Sequence, residues 1–136
     1  MNNTDHVSQN IENEIKSNDV MLFMKGTPVF PMCGFSAATV EVLTKVGVKF
    51  GSVNVLESNE MREGIKVFSN WPTIPQLYVK GEFIGGCDIV KEMFESGELL
   101  ELLNTKGIEV NPTWFVKQQF FKRCITHVYC INILGF

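Results

Sequence analysis

A chain of 136 residues, 45% hydrophobic and 20% charged, can bury one modest core without disulfide staples. Its charge is lopsided: residues 1–110 carry all 15 acidic residues and a net of −6, whereas residues 111–136 carry Lys117, Lys122 and Arg123 and no acid. An acidic body argues against nucleic acid as a partner, the lack of any run of about 18 apolar residues argues against a membrane span, and four scattered cysteines without a C-x-x-C pair suit neither a disulfide scaffold nor a zinc module.

The first residues, MNNTDHVSQN, have neither an apolar core nor an Arg run, so no secretory signal or transit peptide is expected. The expected location is a reducing compartment, the cytoplasm. Ile11 and Ile15, four apart in the polar stretch Ser8–Ser17, suggest a short amphipathic helix. VMLFMK (Val20–Lys25) is an unbroken apolar run of strand length, as in a strand buried on both faces. After a loop with Gly26, Pro28 and Pro31, a helix should start at Cys33-Gly34, run through Ala37, Val40, Leu43 and Val46, and stop at Gly47. Lys49–Val55 reads as a second strand, completing a strand–helix–strand unit.

Ser58 is placed to cap a third helix whose Met61, Ile65 and Phe68 share a face. Beyond the break at Trp71-Pro72, QLYV and EFIG flank Lys80-Gly81 as a hairpin. Asp88–Glu95 and Glu98–Leu103, separated by Gly97, read as two closing helices. The order gives an α/β protein of thioredoxin-like arrangement: a small mixed four-stranded sheet with helices on both faces.

The chemistry concentrates at Cys33-Gly34-Phe35-Ser36, where a loop turns into a helix. Free N–H groups and the partial positive charge of a helix start favour thiolate over thiol. Lys25 adds a positive charge at the end of the preceding strand. In isolation such a cysteine is more often a buried structural thiol.

Three segments together go further. KGTPVFPMCGFS (Lys25–Ser36), WPTIPQLY (Trp71–Tyr78) and GGCD (Gly85–Asp88) resemble the signature segments of the CGFS-type monothiol glutaredoxins, in that family's order and spacing. The resemblance covers roughly residues 5–109, which sets a glutaredoxin domain at 1–109 and an extension of unknown role at 110–136.

The resemblance implies a glutathione-binding protein that holds and passes on a [2Fe–2S] cluster through Cys33, the catalytic and metal-ligating residue. Ser36 stands where dithiol glutaredoxins have a second cysteine, so Cys33 lacks a local resolving thiol. In the family the proline equivalent to Pro75 is cis, and Ile74 would then pair by its N–H and C=O with the cysteinyl unit of glutathione. Gly85-Gly86 before Cys87-Asp88 lets a ligand approach a second helix start, whose N–H groups suit a carboxylate. Asp88 would accept from the ligand's ammonium, and it also reads as an N-cap. Lys25 and Arg62 are the natural partners for the glycyl carboxylate, while Lys66 reads as solvent-facing.

Cys87 stays open between a buried filler and a thiol able to pair slowly with Cys33. Phe35 and Trp71 read as packing residues shaping the cleft. A [2Fe–2S] cluster takes four ligands. One Cys33 and one glutathione thiol from each of two protomers make four, hence the cluster-bridged homodimer that the family also implies. Apo iron–sulfur proteins and BolA-like proteins are the implied partners. The runner-up is a glutathione-dependent oxidoreductase using the same nucleophile and groove. The aromatic and basic tail keeps to no single helical face, and Cys124 and Cys130 make no metal pair.

Overall fold

The protein is described by a computed structural model over residues 3–112; the extension after Pro112, whose role the sequence leaves unknown, lies outside the described residues. The elements are α1 (Asn3–Ser17), β1 (Val20–Met24), α2 (Gly34–Val46), β2 (Gly51–Asn54), a 3-10 turn (Val55–Glu57), α3 (Asn59–Ser69), β3 (Gln76–Val79), β4 (Glu82–Gly85), α4 (Cys87–Ser96) and α5 (Glu98–Thr105).

The strands form one mixed sheet in the order β2-β1-β3-β4. β1 runs parallel to β2, pairing Met21 with Gly51 through Met24 with Asn54, and antiparallel to β3, pairing Val20 with Val79 through Phe23 with Gln76. All five residues of β1 are buried, because helices cover both faces. Val20, Leu22 and Met24 join Leu43, Val46, Val90, Leu99 and Leu103 beneath α2, α4 and α5. Met21 and Phe23 face the other way, onto Ile11, Ile15, Ile65 and Tyr78 beneath α1 and α3. That two-sided burial is why the strand's sequence is apolar throughout rather than alternating.

Local chemistry sets most boundaries. Gly47 ends α2 in a left-handed conformation, its N–H donating to the carbonyls of Leu43 and Thr44. The Ser58 hydroxyl accepts from Met61 N–H at 3.2 Å and caps α3. In the hairpin turn Lys80 (φ 52) and Gly81 (φ 80) are both left-handed, as a two-residue turn matched to strand twist requires.

Several boundaries differ from the sequence expectation, three of them with a visible cause. α1 begins at Asn3 rather than near Ser8, because Val7 packs on α3 and against Gly64. β2 starts at Gly51 rather than Lys49, since Val48 bridges instead to Val110. It ends at Asn54, whose side chain accepts from Leu56 N–H at 3.0 Å and turns the chain. The chain remains tied to the domain as far as Asn111, whose N–H donates to the Gly47 carbonyl at 3.0 Å.

Candidate functional site

Sheet register brings the three motif segments to one end of the sheet. β1 ends at Met24 beside the start of β3, through the Phe23–Gln76 pair, and the end of β4 pairs Gly85 with Leu77. The loop after β1, the loop before β3 and the start of α4 therefore meet.

The first loop folds back on itself. Met32 N–H donates to the Lys25 carbonyl at 2.9 Å and Thr27 N–H to the Phe30 carbonyl at 3.1 Å, while Gly26 N–H is anchored by Asn54 Oδ1 at 2.9 Å. This delivers Cys33, half-buried and extended (φ −151, ψ 137), as the N-cap of α2. Its thiol closes no cap hydrogen bond in this geometry, yet it lies close to the free N–H groups of the first turn. The Ser36 N–H does most to hold the thiol below its ordinary range. Burial opposes it, and the Phe35 N–H, the Lys25 charge and the Ser36 hydroxyl add to the lowering. Ser36 is fully buried, and its Oγ accepts from Lys25 N–H at 3.1 Å. It therefore links the end of β1 to the first turn of α2.

Two residues on from Cys33, Phe35 walls a cleft of about 150 Å³ whose other walls are Trp71, Thr73–Pro75 and Gly86–Ile89; Cys33 itself lies outside that wall. The Ile74–Pro75 bond is cis. Ile74 packs its side chain among the residues under α1 and α3, and neither its N–H nor its C=O is hydrogen-bonded among the described residues. Across the cleft, Gly86 is the N-cap of α4. A Cβ there would come within 3.2 Å of the Pro75 carbonyl and 3.4 Å of Trp71 Nε1, so glycine permits the close approach. The Trp71 indole packs on Phe83 at 5.7 Å, and its Nε1–H is buried without a partner among the described residues.

Cys87 and Asp88 open α4 in the cleft wall, Cys87 as a buried free thiol and Asp88 exposed in the first turn. The N-cap is Gly86, so the capping role considered for Asp88 does not hold. Its carboxylate instead sits beside the positive end of the helix. Phe35 also differs from expectation: it lines the cleft but is 63% exposed rather than packed inside.

Lys25 and Arg62 lie outside the wall of this cleft. Lys25 acts on the Cys33 thiol, and Arg62 projects from the first turn of α3, half-buried, with a buried Nε that has no partner among the described residues. Among the described residues neither forms an ion pair, whereas Lys66 pairs with Glu63 at 3.3 Å. The Asn54 anchor, the Ser36 link and the unpartnered Trp71 Nε1 carry no sequence signature, since each depends on a contact that only the fold creates.

An activated cysteine at one helix start, a cis-proline loop and a second, glycine-capped helix start, brought together at one end of this sheet order, make the arrangement of a glutaredoxin. Residues 20–84 match the family model described as Glutaredoxin. The chain is 61% identical over 98 residues to a mitochondrial monothiol glutaredoxin-5 of Lachancea kluyveri, covering 70% of this chain and 68% of that one. It is 53% identical over 108 residues to monothiol glutaredoxin-S11 of Oryza sativa, covering 79% of this chain but only 22% of that longer protein. The solution structure of a monomeric truncated mutant of Trypanosoma brucei 1-C-Grx1 superposes with a TM-score of 0.71 at 44% identity, covering 78% of this chain and 96% of that one. The chain belongs to the monothiol glutaredoxin family.

Proposed function

We propose that the chain binds glutathione in the cleft walled by Phe35 and, as a homodimer, carries a [2Fe–2S] cluster as cargo for delivery to apo iron–sulfur proteins. The observation that carries this is Cys33 itself: a half-exposed thiol biased toward thiolate, with a buried serine hydroxyl three residues on where a resolving thiol would have to stand.

Among the described residues no group of three or more His, Cys, Asp or Glu is placed to hold a metal. In this proposal the four ligands of a [2Fe–2S] unit come from two protomers and their bound glutathione. Cys33 supplies one thiolate per protomer and bound glutathione a second. Thiolate ligation of this kind, half of it from a small molecule, is what would let the cargo be handed on.

The chain's own residues suit glutathione at each end. The N–H and C=O of Ile74, unpaired among the described residues, can form one strand-like rung with the cysteinyl unit. The first turn of α4, at Cys87 and Asp88, offers N–H groups to the γ-glutamyl carboxylate and an acid to its ammonium. Lys25 and Arg62, both without ion pairs among the described residues, are available to the glycyl carboxylate. Val29, Phe30, Met32 and Phe35, each at least 57% exposed and flanking Cys33 in the chain, supply an apolar rim for a second copy or for a recipient such as a BolA-like or apo iron–sulfur protein.

The test is anaerobic reconstitution with iron and sulfide across a glutathione titration, followed by visible absorbance. Cluster formation should rise with glutathione in the wild type and be absent in Cys33→Ser, while Cys87→Ser keeps most of it. Full formation without glutathione would overturn the proposal.

A further inference from the structure

We propose, resting on the glutathione-binding function above, that Gln76 is a positioning residue: its side-chain amide holds the loop 71–75 so that the Ile74 backbone is presented to the ligand. Gln76 opens β3 with no exposed surface. Its side chain shares a face with that of Tyr78, two residues on, toward the apolar cluster under α1 and α3. A primary amide is costly in such a place unless every hydrogen bond it can make is made.

Two of its three bonds go to the loop, and the third backs the amide. Nε2 donates to the Trp71 carbonyl at 3.2 Å and to the Thr73 carbonyl at 3.1 Å, and Oε1 accepts from the Tyr78 hydroxyl at 3.3 Å. Two carbonyl acceptors on one side and a hydroxyl donor on the other leave a single sensible orientation of the amide. Within residues 71–75 the backbone itself supplies little. Trp71 N–H donates to the Lys66 carbonyl at 3.1 Å, and no other backbone–backbone bond is made there among the described residues. Trp71 N–H also reaches Ser69 Oγ at 3.2 Å, and that hydroxyl donates to the Ile65 carbonyl at 2.8 Å. The loop is thus fastened to α3 at its first residue and to β3 through Gln76 further along. Ile74 follows directly on the second tether. The same fastening sets Trp71 and Thr73 opposite Gly86, and so sets the width of the cleft.

The test compares Gln76→Met, which keeps the length of the side chain but removes its hydrogen bonds, with Tyr78→Phe, which removes the hydroxyl behind the amide together with its contact to Ser69. Val79→Ala, equally buried in β3 and remote from the loop, serves as the control. Three quantities are read for each: the glutathione concentration giving half-maximal cluster assembly, the melting temperature, and the pH dependence of Cys33 alkylation. Gln76→Met should raise the glutathione requirement about ten-fold with an unchanged alkylation profile, and Tyr78→Phe about two-fold. Val79→Ala should lower the melting temperature without moving the glutathione requirement. An unchanged requirement in Gln76→Met, or an equal rise in Val79→Ala, would overturn the role. If Gln76→Met fails to fold, Tyr78→Phe decides: a wild-type requirement there overturns it. A wild-type protein whose assembly ignores glutathione would instead bring down the underlying function, a distinct result visible before any variant is made.

Discussion

Replacing Ser36 with Ala removes one oxygen from a position with no solvent access and leaves the Lys25 N–H, now 3.1 Å from that oxygen, without its acceptor. A buried donor stripped of its partner costs about 1–3 kcal/mol. For a domain of this size 1 kcal/mol moves the thermal midpoint by roughly 4–8 °C, so a fall of at least about 4 °C is expected. The same change removes one of the groups that lower the Cys33 pKa, though the Ser36 N–H, the largest of them, survives in alanine. The thiol should therefore shift upward but stay below its ordinary range. The sign has a consequence for stability as well. A thiol whose pKa is depressed by folding adds stability above the unfolded value, and that part is lost as pH falls through the folded value. The wild type's advantage over Ser36→Ala should thus narrow as the pH drops below the Cys33 titration. Thiolate absorbance and the pH dependence of alkylation read the first effect, and thermal melts at several pH values read the second. A variant with wild-type melting temperature and wild-type Cys33 titration would refute the linking role given to Ser36.

Lys25→Ala, Arg62→Ala and Asp88→Ala each delete one of the charge-assisted contacts proposed to glutathione, a kind of contact commonly worth about 1.5–3 kcal/mol. Each should raise the glutathione needed for cluster assembly about ten-fold or more, and wild-type behaviour in all three would contradict the assigned contacts. Gly86→Ala sets a methyl within 3.2 Å of the Pro75 carbonyl and 3.4 Å of Trp71 Nε1. It should weaken glutathione dependence while leaving Cys33 alkylation unchanged, as titration and alkylation rates would show. A chain ended at Pro112 keeps the Val48–Val110 bridge and the Asn111-to-Gly47 hydrogen bond. It should match the full chain in melting temperature and cluster yield, whereas a chain ended before Val110 should melt lower.

Much of this architecture is legible in the sequence because it is written locally. The unbroken VMLFM run, the Gly47 stop, the Ser58 cap and the Lys80-Gly81 turn each depend on neighbours within a few residues. What stays hidden depends on contacts across the fold. The Ser36 hydroxyl meets a residue 11 positions away, and Asn54 reaches back 28 positions to Gly26. Gln76 looks like any polar residue at the start of a strand until the Trp71 and Thr73 carbonyls are seen converging on it. Asp88 is a reasonable cap by residue type, but Gly86 takes that place because the helix begins a residue earlier, at Cys87. Cys33 was findable at once from its motif, while the reason its thiol is activated lies in the fold of the loop that brings it against the first turn of α2.

The central claim, that Cys33 and glutathione together hold a shared cluster, is tested most directly by native mass spectrometry of the anaerobically reconstituted full chain. The mass should correspond to two protomers, one [2Fe–2S] cluster and two glutathione molecules, and should collapse to the bare monomer in Cys33→Ser. A cluster-loaded monomer, a loaded dimer without glutathione, or a cluster retained in Cys33→Ser would contradict it.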